Sequence, residues 1–353
     1  MAISVFDDAL LGPLFADRVA ASAFGAGRMV ARFNAFEIAL AEACAAEGLV
    51  SAAAAEAVVT VLRDFSPDLS ALAEGSAADG LPVPAYVRAL RGAVGDEHAA
   101  AAHFGATSQD VMDTARALAL AEVNDALRVR LEGVVSALRD LSGRWGGAPL
   151  MGRTRMQAAL PLRAGERIGA WLAPFADHRS RLARLREGVE ALQLGGPVGN
   201  RSGFRGRGDR VAERMARDLR LHNPPAAWHT RRDHPGEYAS FLSLLTAACG
   251  KIGQDVVLMA QQGIEEVALP GGGSSAMAHK NNPVAAEILV TLARFNAAGV
   301  GAFHQALVHE QERSGISWSL EWMILPQMCA AAGRALETTR TLLEQLRRIG
   351  PGR

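Results

Sequence analysis

Apolar residues recur at helical spacing over unusually long stretches of this chain, and alternating runs of β-branched residues are almost absent. The stretch from residue 284, for example, places Ile288, Leu292 and Phe295 on one stripe of a helix. The spacing predicts long helices over residues 108–142, 236–266, 284–309 and 319–347. Such lengths far exceed the usual average of about 11–12 residues, so we predict an all-α fold with an elongated bundle.

The composition is typical of a soluble globular protein. Of 353 residues, 49% are hydrophobic, and 37 basic residues balance 37 acidic ones, which argues against a disordered chain and a nucleic-acid binder. The cysteines Cys44, Cys249 and Cys329 show no CxxC spacing, so we expect no disulfide framework and predict a cytoplasmic protein. A basic leader is absent, as is any run of about 18 apolar residues, so we predict no membrane association.

Glycine and proline divide the chain unevenly. Short helical segments broken by these residues precede residue 97, which predicts an N-terminal helical domain over 1–97 and a central long-helix domain over 98–353. Three segments interrupt the long helices, namely 103–107, 194–208 and 269–282. Loops between rigid helices are where functional sites tend to be built.

The first candidate segment is a loop that runs into a long helix at Thr107 and Ser108. Thr107 with Asp110 fits a capping box, which satisfies the free N–H groups of a first helical turn without any function. The same helix start, with two hydroxyls, could also bind a carboxylate. Both interpretations stay open, because one hydroxyl can cap while the other binds.

The second candidate segment packs Arg153, Thr154, Arg155 and Gln157 into five positions. Guanidinium groups bind carboxylates in a bidentate fork, so a polyanionic small molecule is a natural partner. Taken alone, the segment is better explained by a solvated surface turn.

The third candidate segment runs from three glycines at 271–273 to Pro283. Asn282 as helix N-cap and Pro283 at the first helical position explain its end without any function. They do not explain Ser274, His279 and Lys280, which place a hydroxyl, an acid/base group and a cation in one loop.

Two further segments, 228–233 and 309–322, combine histidine, arginine, acidic residues and tryptophan. Each taken singly is more often a structural salt-bridge cluster than a site. No histidine pair has a convincing metal-binding spacing, so we predict no metal.

The loop from Gly273 to Pro283 resembles the signature loop of the fumarase/aspartase superfamily, and the segments at 107–108 and 152–154 follow the order of its two other substrate-contact regions. Segments 105–110, 228–233 and 312–322 most resemble the cycloisomerase branch, which lactonizes 3-carboxy-cis,cis-muconate to 4-carboxymuconolactone in protocatechuate breakdown, the β-ketoadipate route. The resemblance implies a homotetramer whose active sites are shared between subunits, a small polycarboxylate substrate and no cofactor.

The resemblance also assigns roles. It implies that Ser274 transfers the proton at the α carbon and that Lys280 and Asn282 bind carboxylate and stabilise charge. His279 stays an alternative general acid, since its ordinary pKa of about 6.5 suits proton donation near neutrality. It further implies substrate contacts from Thr107, Ser108, Thr154 and Gln157, with Arg313 as another carboxylate ligand.

Three departures from the family pattern keep alternatives open. Arg155 stands where lyase members carry histidine and the cycloisomerase branch usually carries tryptophan, and Ala278 replaces a common proline. Most members also continue for about 100 residues after the last central helix, so we expect the small C-terminal domain to be absent. A fumarate-releasing lyase, similar to adenylosuccinate lyase, and an inactive helical scaffold are therefore the two alternative functions.

Overall fold

The computed structural model describes residues 3–270, 272–273, 277 and 281–351 of the chain. Its helices are α1 (Gly12–Phe15), α2 (Arg18–Ala23), α3 (Ala26–Ala46), α4 (Ala52–Arg63), α5 (Leu69–Asp79), α6 (Val83–Val94), α7 (Ser108–Trp145), α8 (Ala164–Val189), α9 (Gly208–Leu219), α10 (Asp233–Met259), α11 (Val284–His304) and α12 (Ile316–Gln345). Its strands are β1 (Pro149–Thr154), β2 (Gln157–Arg163), β3 (Val267–Ala268) and β4 (Arg348–Ile349), and the predicted all-α class is confirmed.

The predicted long helices are present, but several of them begin or end at other residues than predicted. The helix expected over 236–266 begins earlier and stops at Met259, before a turn in which Gly263 adopts a φ of 83°. The helix expected over 284–309 stops at His304. It begins at Val284, with Pro283 as its N-cap, so the prediction of Asn282 as N-cap was wrong.

A β-hairpin and α8 were not predicted. Strands β1 and β2 pair antiparallel around a two-residue turn, Arg155–Met156, in which both residues have positive φ. Positive φ at both central positions is the backbone conformation that suits the twist of a hairpin. Strand β2 is exposed along nearly its whole length, so no buried face imposes the alternating pattern that would have revealed it.

The buried side chains form two hydrophobic cores. The larger core joins α7, α8, α10, α11 and α12 through side chains such as Trp171, Phe175 and Tyr238. The smaller core joins α3, α4, α6 and α9 to the start of α7, around Phe33 and Phe204. The domain boundary near residue 97 stays a prediction, and the smaller core draws on residues from both sides of it.

Among the described residues, two helices, α10 and α11, are long and apolar enough by length and composition to cross a membrane. Half of the apolar window of α10 is buried within the fold, as in a core helix. In α11 only 22% of the window is buried, and apolar residues such as Phe295, Ala298 and Ala302 are exposed. This exposed surface needs an explanation beyond the packing of a single chain.

Candidate active site

The amino terminus of α7 is the first predicted site, and the structure builds it around a buried carboxylate. Thr107 is the N-cap, and its backbone N–H donates to Oδ2 of Asp110 at 3.0 Å. Asp110 has no solvent-exposed surface. The acidic half of the predicted capping box is therefore present.

Asp110 also ties the helix start to two other segments. Its Oδ1 accepts from the backbone N–H of Gly195 at 2.8 Å, and its Oδ2 accepts from that of Gly196 at 2.9 Å. Nε2 of His229, a buried residue, lies 2.8 Å from Oδ1. One carboxylate thus joins the α7 terminus, the glycine-rich loop 194–208 and the segment at 228–233.

The glycines of this loop are explained by close approach. A Cβ on Gly195 would lie 2.8 Å from Cε1 of His229, well inside contact distance. Gly196 has a φ of 71°, and a Cβ there would lie 2.8 Å from the carbonyl oxygen of Gly105. The loop fits between the two neighbouring segments only because it lacks side chains at these points.

Arg313 completes the site at the surface. Its Nη2 donates to Oγ1 of Thr107 at 2.9 Å and to the carbonyl oxygen of Pro197 at 3.1 Å. Arg313 is exposed and Thr107 is half-buried. Two predicted substrate contacts, 206 positions apart, therefore lie side by side, and the remaining donors of the guanidinium can still bind an anion.

Beneath this surface lies a buried ion network of Asp113, Arg116, Arg232, His309 and Glu321. Arg232 donates from Nη1 to Asp113 at 2.9 Å and from Nε to Glu321 at 2.8 Å. Arg116 pairs with both carboxylates, and Nε2 of His309 lies 3.2 Å from Glu321. The segments at 228–233 and 309–322, which looked separately structural, form one cluster.

The arginines set the charge state of the network. Burial alone would raise the pKa of Asp113, but Arg232 and Arg116 hold that pKa well below its usual range. Burial opposes ionisation of Glu321 as well, and Arg116, His309 and Arg232 lower its pKa. Both carboxylates are therefore ionised, and ion pairs hold the side chains of the network in place.

Two tryptophans close the network. The Arg232 guanidinium lies 5.0 Å from the ring centre of Trp228, and that of Arg116 lies 5.5 Å from it. Trp318 donates from Nε1 to Asp113 at 3.1 Å. The aromatic groups therefore support the ionic pairs, while Asp113, Arg116 and Glu321 also line a cavity of about 470 Å³.

The second predicted segment forms the β1–β2 hairpin. Arg153 donates from Nη1 to Glu266 at 2.7 Å, whereas Thr154, Arg155 and Gln157 are exposed. In the described part of the chain, no hydrogen bond or ion pair joins this hairpin to Thr107, Ser108 or Arg313. Among the described residues, the two predicted contact regions therefore share no direct polar contact.

In the third predicted segment, Asn282 exchanges two backbone hydrogen bonds with Gly272, at 2.9 and 3.0 Å. The amide of Asn281 donates to the carbonyl oxygen of Leu269 at 2.9 Å. These bonds close the base of the loop. The predicted catalytic residues Ser274, His279 and Lys280 lie outside the described residues.

Sequence reasoning missed the central place of Asp110 and the involvement of His229. The capping-box spacing identified Asp110 as a cap only, and the glycine pair at 195–196 was the available signal of a close backbone approach. Within residues 3–270, 272–273, 277 and 281–351, no group of three or more His, Cys, Asp or Glu side chains could hold a metal.

The comparisons with known proteins are consistent with this geometry. The sequence model of a family described as Lyase matches residues 16–299. The chain is 39% identical to a 3-carboxy-cis,cis-muconate cycloisomerase of Bradyrhizobium diazoefficiens, over 88% of this chain and 70% of the relative. It is 33% identical to an N-acetyl-S-(2-succino)cysteine lyase of Enterococcus italicus, over 88% and 69%.

Among solved structures, the chain is similar to the 3-carboxy-cis,cis-muconate lactonizing enzyme of Pseudomonas putida. The TM-score is 0.90 at 32% identity, over 97% of this chain and 77% of that one. The likeness therefore covers both hydrophobic cores and the site between them.

Proposed function

The chain belongs to the lyase family of the fumarase/aspartase superfamily, and from that premise we propose that it lactonizes 3-carboxy-cis,cis-muconate to 4-carboxymuconolactone. The observation that carries the substrate is the 39% identity to a cycloisomerase of that name over 88% of this chain. The enzyme is an isomerase, an intramolecular lyase, and we place it in protocatechuate breakdown.

Besides the substrate, the reaction needs only one proton, which the enzyme's acid delivers and recovers from water. A carboxylate oxygen of the diene forms a C–O bond to the carbon β to a second carboxylate, the π bond between the α and β carbons breaks, and a proton adds to the α carbon. Negative charge builds on the accepting carboxylate before the proton arrives, so positioned cations and N–H donors there lower the barrier most. Binding the diene in a curled conformation also brings the reacting atoms together.

We assign the groups as follows. Arg313 with Thr107 and Ser108 binds one carboxylate at the α7 terminus, supported by the geometry of the Arg313 contact. Arg153, Thr154, Arg155 and Gln157 present further donors from the exposed hairpin. Ser274 delivers the proton, with His279 as the alternative acid, and Lys280 and Asn282 stabilise the charge. None of these roles requires a metal or a cofactor.

We further propose a homotetramer whose active sites combine segments of different subunits. The outward face of α11 supports this, because 22% burial of its apolar window leaves an apolar surface that a second copy of the chain would cover. The exposed Phe295 of α11 and Met323 of α12 belong to this surface. The lack of a polar contact between the hairpin and Arg313 among the described residues also favours a shared site. A cytoplasmic location fits three free, buried cysteines.

A fumarate-releasing lyase is the second candidate, favoured by the 33% identity to N-acetyl-S-(2-succino)cysteine lyase. The arginine at position 155 disfavours it, since the resemblance places the lyase histidine there. Loss of the conjugated-diene absorbance tests the choice directly, with adenylosuccinate as a parallel substrate. Consumption of the muconate alone supports the lactonizing enzyme, and consumption of adenylosuccinate alone supports the lyase.

A further inference from the structure

We propose that Asp110 is a positioning residue for the guanidinium of Arg313, and that His229 braces Asp110. The inference rests on the proposed function in one respect, namely that Arg313 binds a carboxylate of the substrate. It assigns a purpose to the glycine-rich loop 194–208, which the proposed function leaves unused.

The Arg313 guanidinium is held by two acceptors, and each is fixed by Asp110. The first acceptor is Oγ1 of Thr107, whose backbone N–H donates to Oδ2 of Asp110 at 3.0 Å. The second is the carbonyl oxygen of Pro197, and the N–H of the preceding residue, Gly196, donates to the same Oδ2 at 2.9 Å. One carboxylate oxygen thus sets the distance between the two groups that orient Arg313.

The surroundings of Asp110 differ from those of an ordinary helix cap. Its carboxylate is fully buried, and among the described residues its partners are three backbone N–H groups and the imidazole of His229. A cap needs only one or two of these donors. The remaining bonds connect the helix start to a loop some 85 positions away, which is what positioning of Pro197 requires.

His229 holds the other side of the carboxylate. Its side chain is 3% exposed, and its Nε2 lies 2.8 Å from Oδ1 of Asp110, in position to donate to it. Nδ1 is buried and has no hydrogen-bond partner among the described residues. The geometry therefore directs the hydrogen bonding of the ring to Asp110 and lets the glycine loop pack on its other edge.

The test is Asp110→Asn, measured by steady-state kinetics on 3-carboxy-cis,cis-muconate. Each carboxylate oxygen accepts from two donors, so whichever way the amide turns, its NH₂ group faces two N–H groups. We expect KM to rise about tenfold or more with kcat within about threefold, because substrate binding and not proton transfer is disturbed. An unchanged KM overturns the proposal.

A double variant separates positioning from a general loss of structure. If Asp110 acts through Arg313, the pair Asp110→Asn with Arg313→Ala has the KM of Arg313→Ala alone. Effects that multiply would overturn the proposal. Asp17→Asn is the matched control, because Asp17 is also a buried helix cap, accepting from Ala20 at 2.9 Å, but contacts no site residue. It should lower thermal stability and leave KM unchanged.

Should Asp110→Asn fail to fold, His229→Gln and His229→Leu replace it. Glutamine can still donate to Asp110 and should keep a KM near that of the wild type, whereas leucine cannot and should raise KM. Equal KM values for the two variants would show that a hydrogen bond from His229 does not support Asp110. If the wild type leaves the muconate unchanged, the proposed function fails, and a crystal structure of Asp110→Asn decides the positioning separately. The Arg313–Thr107 contact should then be broken, and its retention overturns the proposal.

Discussion

Arg313 donates a hydrogen bond from Nη2 to Oγ1 of Thr107 at 2.9 Å, although 206 positions of sequence separate the two residues. The bond joins the segment before α12 to the start of α7, so the guanidinium lies at the amino terminus of a helix. Both groups favour a carboxylate. We therefore expect a carboxylate of the substrate to bind beside them.

Arg313→Ala should raise KM for the muconate about 10- to 100-fold, the scale of a lost hydrogen bond to a charged group. Arg313→Lys keeps the charge without the bidentate fork, so its KM should lie between those of the wild type and Arg313→Ala. Arg88→Ala is the control, since Arg88 is an exposed arginine paired with Asp79 away from the site. Steady-state kinetics that give Arg313→Ala a wild-type KM would remove Arg313 from substrate binding.

Ser274→Ala should lower kcat by at least about 100-fold, the usual scale of a positioned proton transfer, with the assembly intact. The same measurement on His279→Asn distinguishes the two candidate acids, because only the variant that lacks the true acid should lose turnover to this extent. Light scattering checks the assembly. Near-normal turnover of Ser274→Ala would exclude this serine from the role.

Arg155→Asn should raise KM about tenfold while kcat changes little, because the hairpin loses one carboxylate-binding guanidinium. Asparagine tolerates the φ of 49° at this position, so the turn itself is preserved. Met156→Gly is a matched control at the neighbouring turn position, where φ is 66°, and should leave KM unchanged. Equal KM values for both variants and the wild type would show that Arg155 binds no substrate.

Asp113→Asn should lower the free energy of unfolding by about 3–5 kcal/mol, because of the two carboxylates that balance Arg116 and Arg232 only Glu321 remains. Glu132→Gln removes an ion pair with Arg179 in which both side chains are exposed, 47% and 61%, and should cost below about 1 kcal/mol. Urea unfolding at one protein concentration compares the two variants. Similar small losses in the free energy of unfolding for both variants would show that Asp113 is not needed to balance the buried arginines.

Stability should fall as pH drops from about 6.5 to about 4, in part through His178. Burial, and then Arg181, lowers the pKa of His178 to about 4, so the folded state keeps the ring neutral while the unfolded chain takes up a proton. The contribution is complete above the unfolded pKa and amounts to about 3 kcal/mol lost by pH 4. His178→Phe should flatten urea-unfolding profiles in this window, and an unaltered slope would contradict the assignment.

His103 provides an internal contrast. Burial alone would lower its pKa, but Glu37, 2.6 Å from Nδ1, raises it above the ordinary value. Its contribution is therefore complete below the unfolded pKa and is lost as pH rises through the folded one. His103→Asn should change the profile above pH 6.5 only, so the two histidines act in separate windows.

The sequence allowed prediction of the parts that depend on local pattern. The apolar stripe of α11 and the capping-box spacing of Thr107 and Asp110 are such features. The structure has helices that begin at Val284 and at Ser108, as these patterns predict. The hairpin at 149–163 escaped prediction because its strands are largely exposed and carry no alternation. The helix over Ala164–Val189 was missed although its sequence carries an apolar stripe, which includes Ile168, Trp171, Phe175 and Leu182.

Contacts between distant segments could not be predicted from one sequence. Arg232 and Glu321 lie 89 positions apart, and nothing in either segment indicates the other. The same holds for Asp110 and His229, 119 positions apart. The individual residue types were visible as candidates, but their assembly into one network and one site follows from helix packing.

The most direct test of the central claim is the ultraviolet absorbance of the conjugated diene when purified protein meets 3-carboxy-cis,cis-muconate. The account predicts rapid loss of that absorbance, formation of 4-carboxymuconolactone, and no reaction with adenylosuccinate under the same conditions. A stable diene signal from folded protein, with or without turnover of adenylosuccinate, would contradict it.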